Sequence, residues 1–575
     1  MLHTGLKQAL ADKITVLNIK LNNLAHYVKR RIYIALLLIH GLASQAVSGQ
    51  DQKFTHQDTL RGSLTKERTW WDLSYYHLQV KANLSDSVLV GQNTIRYKVL
   101  SPYQLIQIDL QAPMVIANAT QDKESLVCMR EGNAWFITLK KKQIPGEFNE
   151  IIIDFNGKPR ISSNPPWSGG LSWEKDENQH PLIVTTCQGD GASLWWPCKD
   201  HQYDEPDSML IDITVPEGLL DVSNGRLRNV INNADLTHTF SWFVSNPINN
   251  YSVDMNIGDY VHFSEKYAGE HGMLDCDYYV LSYNLEKAKR QFRAVSLMLN
   301  AFEHWFGPYP FYEDSYKLVE VPYPGMEHQS SVTYGNGFEN GYLKRDESNT
   351  GWGMKFDFII VHESAHEWFG NSITSKDIAD MWIHEAFAAY AENLYLDYHF
   401  GRKPCSEYVI GTRAKIRNDR PIIGPYDVNK EGSHDMYYKG ANMLHTLRQI
   451  VDNDEKWRTV LRGMNRKFYH QTVTTRQVEK YLGDATGMNL VPFFNQYLRS
   501  ARIPVFEYAL HKNVLTYRWN NCVDDFRMPV KILTGNTTIW LYPTTFWKQI
   551  EGEDLSNFKT DQNFYIETID LNQRK

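Results

Sequence analysis

Within residues 362–385, two of the histidines and two of the glutamates have a spacing that can hold and use a metal ion. They read HESAHEWFGNSITSKDIADMWIHE, so His362 and His366 lie four apart and Glu385 follows after a further eighteen residues. Side chains four apart on a helix lie on one face and can share a metal ion. Glu363 faces the same side, where a carboxylate can activate water at the metal. Three protein ligands with an open fourth position are typical of a catalytic zinc site rather than a structural one.

The flanking residues favour a buried metal site over the alternative, a surface helix with two solvated histidines. Residues 356–361 are apolar except for Asp357, as a buried helix requires, and the Gly-Asn pair at 370–371 indicates a helix end. Apolar residues also flank Glu385 on both sides. Because a buried glutamate is costly unless it is paired or bound to metal, we expect Glu385 to be the third ligand, supplied by the next helix.

Three further motifs, in matching order and spacing over about residues 70–500, resemble those of the zinc aminopeptidases of peptidase family M1, a gluzincin family that includes aminopeptidase N. The family's Gly-x-Met-Glu-Asn segment is similar to PGMEH at 324–328, and its Tyr-x-Lys-Gly motif to YYKG at 437–440. Its Gln-containing strand segment ending in Pro-Cys is similar to the Cys-Gln pair at 187–188 followed by WWPC at 195–198. Each motif alone carries little weight, but their order around the zinc motif identifies the family.

The resemblance implies roles for individual residues. His362, His366 and Glu385 correspond to the ligands of one zinc ion per chain, although cobalt or manganese could occupy the same ligand set. Glu363 corresponds to the general base that takes a proton from water at the zinc. Tyr437, selected over its neighbour by the Tyr-x-Lys-Gly spacing, corresponds to the phenol that donates a hydrogen bond to the developing oxyanion.

The resemblance also implies an anchor for the amino group of the substrate. Glu327 corresponds to the carboxylate that holds a free α-amino group, and Gln188 to a second amine-side position. The backbone of Gly325 and Met326 is expected to lie along the substrate as an extended edge strand. Such an anchor separates an aminopeptidase from an endopeptidase, because it favours a protonated amine one residue before the scissile carbonyl. A substrate without that amine leaves a buried, unpaired charge.

Several nearby residues leave details of the site open. Glu392 follows Glu385 by about two helical turns, so it is either a hydrogen-bond partner of a zinc histidine or a solvated helix glutamate. The family's usual Gly and Asn are replaced by Pro324 and His328, and Asn-Glu-Gly around the third ligand reads His-Glu-Ala. The changes at 324 and 328 affect the strand that positions substrate, and therefore the preference for the N-terminal residue. We expect His328 and His384 to be packed or solvated rather than to bind metal.

Composition indicates a soluble chain with a large core. The 575 residues predict several domains, 42% are hydrophobic, and the mean hydropathy is −0.47. The net charge of −7 without a long basic run disfavours nucleic acid as a partner, and peptides with a free N-terminus are the expected partners. Six scattered cysteines are too few for a disulfide scaffold, although Cys187 and Cys198 could pair in an exported protein.

The predicted fold is an α+β multidomain protein. Residues 1–49 are assigned to an N-terminal extension with a signal peptide or signal anchor, and the polar residues 50–66 to a linker. Strand-like alternation from 67 to 270 predicts an N-terminal β-sheet domain of saddle or sandwich form. Residues 271–500 are mostly helical in pattern, including one amphipathic helix over 285–305, and by resemblance form a thermolysin-like zinc peptidase domain. Residues 501–575 predict a small C-terminal β domain.

The N-terminus has the pattern of a targeting segment. Basic residues at 29–31 precede an apolar run over 32–42 that is broken only by His40 and Gly41, and mostly small residues follow at 43–49. The apolar run is short for a membrane span, so we expect export to the periplasm or the exterior. A single-pass signal anchor is the alternative, and it is the only membrane contact expected. The 28 residues ahead of the segment are either an over-extended gene start or a cytoplasmic tail.

Three functions are compatible with these observations. The first is a zinc aminopeptidase releasing N-terminal residues, and the second a hydrolase of the same fold acting mainly on a non-peptide substrate. The third is an inactive peptide-binding homologue, which the presence of both Glu363 and Tyr437 disfavours. Family members usually continue into a helical domain that closes the active-site cavity, so we expect a more open site that accepts longer peptides. The oligomeric state is left open.

Overall fold

The computed structural model describes residues 53–573 except 536, 553, 554 and 556. From His56 onward the described chain forms one compact unit. The predicted targeting segment at 1–49 lies outside the described residues. Among the helices that are described, none combines the length and the apolar character that crossing a membrane requires.

The first part of the chain consists mainly of strands. Two short helices, His56–Gly62 (α1) and Lys66–Thr69 (α2), come first, and α1 lies within the stretch predicted as a linker. The strands that follow are Trp71–Asn83 (β1), Val88–Val99 (β2), Leu105–Asp109 (β3), Val115–Gln121 (β4), Glu124–Ser125 (β5), Val127–Glu131 (β6), Ala134–Thr138 (β7), Phe148–Gly157 (β8), Gly170–Lys175 (β9), Pro181–Thr186 (β10), Ser208–Pro216 (β11), Leu220–Val222 (β12), Arg226–Asn232 (β13), Thr237–Val244 (β14), Asn256–Gly258 (β15), Tyr260–Gly269 (β16) and Gly272–Leu281 (β17).

An eight-stranded sheet dominates this region, in the order β13-β14-β11-β1-β2-β8-β4-β5. Its central strand β1 buries Tyr76, Leu78 and Val80 on one face while the residues between them are more exposed, which is the period-two pattern of a half-buried strand. A four-stranded sheet, β12-β15-β10-β9, and a three-stranded sheet, β3-β7-β6, accompany it. Buried side chains from all three sheets share one hydrophobic core.

Helices dominate the middle of the chain. They are Leu285–Gln291 (α3), Ala294–Phe306 (α4), Phe358–Ala365 (α5), Trp382–Phe400 (α6), Arg402–Gly411 (α7), Tyr438–Val451 (α8), Asp454–Lys467 (α9), Thr475–Thr486 (α10) and Val491–Leu498 (α11). The strands among them are Tyr316–Glu320 (β18), Gly325–Met326 (β19), Val332–Tyr334 (β20), Ile373–Ser375 (β21) and Gln471–Val473 (β22). The order β16-β17-β18-β20-β19 makes β19 an edge strand of a five-stranded sheet.

The chain returns to strands after α11. They are Val505–His511 (β23), Val514–Asn520 (β24), Val530–Thr534 (β25), Thr537–Leu541 (β26), Lys548–Glu551 (β27), Lys559–Thr560 (β28) and Glu567–Asp570 (β29). They form the sheets β27-β24-β23-β29 and β26-β25-β28, whose buried side chains share a second core with the helical region. This succession of strands, helices and strands confirms the predicted α+β class. The domain boundaries stay predictions.

One predicted helix is wrong in detail. The single helix expected over 285–305 is two helices, α3 and α4, separated at Phe292 and Arg293. The Phe292 ring is buried and packs edge-on against Tyr334, with ring centroids 5.0 Å apart. The break therefore coincides with a tertiary contact that helical periodicity does not reveal.

Candidate active site

Helix α5 carries the first zinc-ligand candidate and ends one residue before the second. Its N-terminus is capped by the Asp357 side chain, which accepts a hydrogen bond from the Ile360 N–H. The helix ends at Ala365, but His366 keeps helical dihedral angles of φ −65° and ψ −19°. The four-residue spacing therefore still places the imidazoles of His362 and His366 on one side, with ring centroids 5.1 Å apart.

The third ligand candidate comes from the first turn of α6, a helix whose residues 382–396 are all buried. The Oε2 atom of Glu385 lies 3.6 Å from Nε2 of His362 and 3.5 Å from Nε2 of His366. We call His362, His366 and Glu385 the zinc cluster. All three are buried, and their ligand atoms lie within 4.8 Å of one another.

The chemistry of the zinc cluster fits a metal ion. Oε2 of Glu385 is buried and has no hydrogen-bond partner among the described residues. Leaving such an oxygen unsatisfied is costly, whereas a cation between it and the two Nε2 atoms would satisfy it. Two imidazoles and one carboxylate are the ligand set of a catalytic zinc site with an open position.

The other ring nitrogens of the histidines are held by buried partners. Nδ1 of His362 lies 2.7 Å from Oε1 of Glu392, whose other oxygen accepts a 2.6 Å hydrogen bond from the Tyr408 hydroxyl. Nδ1 of His366 lies 3.0 Å from the carbonyl oxygen of Phe369. These contacts orient both Nε2 atoms toward the cluster. Glu392 is thus buried beside a zinc-ligand candidate and is not a solvated helix glutamate.

One cavity of about 540 Å³ brings together all ten residues singled out from the sequence. Its lining includes Gln188, Gly325, Met326, Glu327, His362, Glu363, His366, Glu385, Glu392 and Tyr437. Glu363 is half-buried and faces this space, and burial raises the pKa of its carboxyl. The base candidate and the metal-ligand candidates therefore border the same volume.

Tyr437 immediately precedes α8 and lies over the zinc cluster. Its ring is nearly parallel to that of His362, with centroids 6.0 Å apart and an angle of 22°. Helix α8 packs closely on α6, since a Cβ added to Gly440 would lie only 2.4 Å from Cβ of Ala386. Burial and the charge of Glu385 raise the pKa of the Tyr437 phenol well above its usual range, so it remains a hydrogen-bond donor.

The amine-side residues lie directly beside the zinc cluster. Glu327 follows the edge strand β19, is 2% exposed, and has its pKa raised to about 7 by burial. The Gln188 amide nitrogen donates to Oε1 of Glu327 and also, over 3.0 Å, to Oε1 of Glu385. Gln188 thus connects the candidate amine anchor with a candidate metal ligand.

The approach of β19 to α5 requires a glycine. A Cβ at position 325 would meet Cγ2 of Ile359 at 2.5 Å and the Thr333 carbonyl oxygen at 2.9 Å. Any larger residue would push the strand away from the helix that carries Glu363. The Gly-Met dipeptide of the sequence motif therefore has a packing reason in this fold.

Sequence reasoning missed Tyr251, which is buried near the amine-side residues. Burial, together with the charges of Glu327 and Glu385, raises the pKa of its phenol well above the usual range. Tyr251 occupies a short 3₁₀ turn, Asn250–Ser252, and nothing in the local sequence marks it as functional.

Two histidines and two cysteines discussed from the sequence lie near the site but do not belong to the zinc cluster. Nδ1 of His328 lies 3.1 Å from the Ser252 carbonyl oxygen, and Nε2 of His384 accepts a 2.8 Å hydrogen bond from the Ser375 N–H. Neither imidazole belongs to the zinc cluster. Cys187 and Cys198 are free, buried thiols in the structure.

Comparison with known proteins gives a family match for the helical region. Residues 290–497 match the family model "Peptidase family M1 domain". Endoplasmic reticulum aminopeptidase 1 of Mus musculus is 22% identical over 423 residues, which cover 69% of this chain and 44% of the relative. Aminopeptidase N of Lactococcus lactis subsp. lactis is 26% identical over 225 residues, which cover 34% of this chain and 25% of the relative. The chain spans about half the length, or less, of the curated relatives it matches.

Solved structures show the same fold. The M1 zinc metallopeptidase from Deinococcus radiodurans superimposes with a TM-score of 0.63 at 19% identity, covering 74% of this chain and 92% of that one. A mutant of that protein bound to a Tyr-Ser-Ala substrate superimposes with a TM-score of 0.62 over 75% of this chain and 94% of that one. The His-His-Glu cluster lies within the residues that match the family model, and this region of the chain, residues 290–497, is therefore a peptidase family M1 domain.

Proposed function

We propose that the protein is a zinc-dependent aminopeptidase that releases the N-terminal residue from peptides. One observation carries the proposal: the Gln188 amide joins Glu327 to Glu385, so an amine-binding carboxylate and a metal-ligand candidate share one cavity. A protonated amine held by Glu327 would place the first peptide bond, rather than an internal one, beside the zinc cluster.

His362, His366 and Glu385 would hold the zinc ion. When bound, zinc supplies a Lewis acid that polarises the scissile carbonyl and lowers the pKa of water. The contacts of the two Nδ1 atoms with Glu392 and with the Phe369 carbonyl keep both imidazoles oriented for this role.

Glu363 and Tyr437 would carry the proton transfer and the charge stabilisation. Glu363 borders the cavity, where it can accept a proton from the attacking water and deliver it to the leaving nitrogen. Tyr437 would donate a hydrogen bond to the carbonyl oxygen of the scissile bond as negative charge develops there. Its high phenol pKa keeps the donated proton on the tyrosine at ordinary pH.

Glu327 and Gln188 would set the register of the substrate. The two Gln188 amide hydrogens are directed at carboxylates, which leaves the amide oxygen to accept from a substrate ammonium. Because Glu327 is buried, a substrate whose amine is blocked would leave the charge of the carboxylate without an ammonium group to offset it. Discrimination between free and blocked N-termini therefore follows from this pair.

The proposal is tested with a panel of aminoacyl-naphthylamides and their N-acetylated versions, with and without a zinc chelator. We expect cleavage of the free-amine substrates alone, lost on chelation and restored by added zinc. Cleavage of the acetylated substrates would contradict the amine anchor and indicate an endopeptidase. Zinc binding without any cleavage would contradict the aminopeptidase proposal and favour a non-peptide substrate or a binding role.

A further inference from the structure

A second group of metal-ligating side chains lies at the turns of the N-terminal sheets. Asp176 and His180 come from the turn between β9 and β10, and Asp259 separates β15 from β16. One ligand atom from each lies within 4.8 Å of the other two. We call Asp176, His180 and Asp259 the turn cluster. None of the three lines the active-site cavity.

The turn cluster contains a buried oxygen with no partner. Asp176 is only 6% exposed, and its Oδ1 accepts a 2.8 Å hydrogen bond from the His180 N–H. Its Oδ2 has no hydrogen-bond partner among the described residues and lies 3.6 Å from Nδ1 of His180. That distance is too long for a hydrogen bond, yet it leaves Oδ2 facing the same space as the imidazole.

The charges of the turn cluster are unbalanced. Nδ1 of His180 lies 2.9 Å from Oδ2 of Asp259, so two carboxylates converge on one imidazole nitrogen. Within the described part of the chain, neither carboxylate forms an ion pair with a lysine or arginine. A protonated imidazole would offset one of the two negative charges, and its single Nδ1–H is already directed at Asp259. A divalent cation would offset both charges and would also satisfy the buried oxygen of Asp176.

The backbone arranges these ligands in advance. The turn is closed by hydrogen bonds from the Asp176 N–H to the His180 carbonyl and from the Gln179 N–H to the Asp176 carbonyl, with Gln179 at a φ of 68°. Strand β10 pairs antiparallel with β15, Ile183 opposite Ile257, and this register carries Asp259 to the turn. Little reorganisation would therefore be needed to bind an ion.

We propose that the turn cluster binds one divalent transition-metal ion of the zinc type, joining the β9–β10 turn to the start of β16. An imidazole with two carboxylates suits such an ion, whereas magnesium prefers all-oxygen sites with several waters. The His180 side chain is 48% exposed and that of Asp259 36%, so water would complete the coordination. The inference is independent of the proposed aminopeptidase activity.

The test measures zinc bound per chain after equilibrium dialysis of the full-length protein against buffered zinc. His180→Ala and Asp259→Asn remove one ligand each at exposed positions, where the fold tolerates change. His262→Ala is the matched control, since His262 lies 2.9 Å from the carboxylate of Asp277, which is not among the described residues that have a buried oxygen without a partner. We expect both ligand variants to bind about one zinc ion fewer per chain than the wild type and the control.

A thermal unfolding series separates metal binding from simple folding damage. Added zinc should raise the unfolding temperature of the wild type and of His262→Ala beyond the value reached with the active site filled, and should not do so for His180→Ala. Added magnesium should leave all three unchanged. Equal zinc content in the wild type and both ligand variants, with equal zinc-induced shifts in the wild type and His180→Ala, would overturn the proposal.

Discussion

The zinc cluster and the turn cluster hold their ligand atoms within the same span, but their surroundings differ. In the zinc cluster both imidazoles have a second, buried partner, and a base candidate and a phenol border the same cavity. The turn cluster has one buried carboxylate and two partly exposed side chains, and none of its residues lines that cavity. Converging ligands can bind an ion, whereas catalysis also needs neighbouring groups placed to move protons and stabilise charge.

The largest expected effect comes from removing the base beside the zinc cluster. Glu363→Gln keeps the shape of the side chain but cannot accept a proton, so kcat/KM should fall by about 10³- to 10⁴-fold. Zinc content should stay at the wild-type value, because Glu363 is not one of the three ligands. Steady-state kinetics and metal analysis of the same preparation check this. Near-normal activity of Glu363→Gln would contradict the idea that the zinc cluster, unlike the turn cluster, has a base beside it.

A smaller loss is expected from the oxyanion donor. Tyr437→Phe retains the ring that packs beside His362 and removes the hydroxyl, so kcat should fall by roughly 10²-fold with little change in KM. Tyr438→Phe is the matched control, because its hydroxyl contacts Glu347 instead. An equal loss in both variants would show that the sequence motif selects the wrong tyrosine.

The buried partner of His362 should affect metal retention more than chemistry. Glu392→Gln weakens the contact that orients the imidazole, so zinc affinity should fall roughly 10- to 100-fold. Activity at saturating zinc should recover most of the wild-type rate. Glu407→Gln is the control, since Glu407 is on α7 and contacts Trp352 and Lys403 away from the cluster. Competition with a zinc chelator gives the affinities, and identical values in the two variants would contradict the role of Glu392.

The smallest effect is expected from the turn cluster. Because none of its residues lines the active-site cavity, His180→Ala should change kcat/KM by less than about two-fold. The measurement is made at a zinc concentration that fills the active site. A large loss of activity, with the active-site zinc retained, would show that the two clusters are coupled.

The zinc cluster was accessible to sequence reasoning because its parts lie close together in the chain. His362, Glu363 and His366 occupy one helical turn, and Glu385 comes from the next helix. The amine-side residues were placed by resemblance to a family, not by local pattern, since Gln188 and Glu327 meet across 139 positions. For Glu392, helical spacing left two alternatives, and only burial against His362 separates them.

Other features depend on contacts between distant segments, which local patterns do not contain. Asp176 and Asp259 lie 83 positions apart and meet only because β10 pairs with β15. Tyr251 reaches the amine-side residues from a short turn of unremarkable sequence. The strand-rich and helix-rich regions were predicted from alternation and periodicity, while the break at Phe292 arises from its packing against Tyr334.

Product analysis on an unmodified peptide shows directly whether the enzyme removes single residues from a free N-terminus. Zinc-loaded protein is incubated with a peptide of about ten residues and, in parallel, with the same peptide N-acetylated, and the products are followed by mass spectrometry. We expect stepwise loss of residues from the free N-terminus and no cleavage of the acetylated peptide. Internal fragments from both peptides would contradict this expectation.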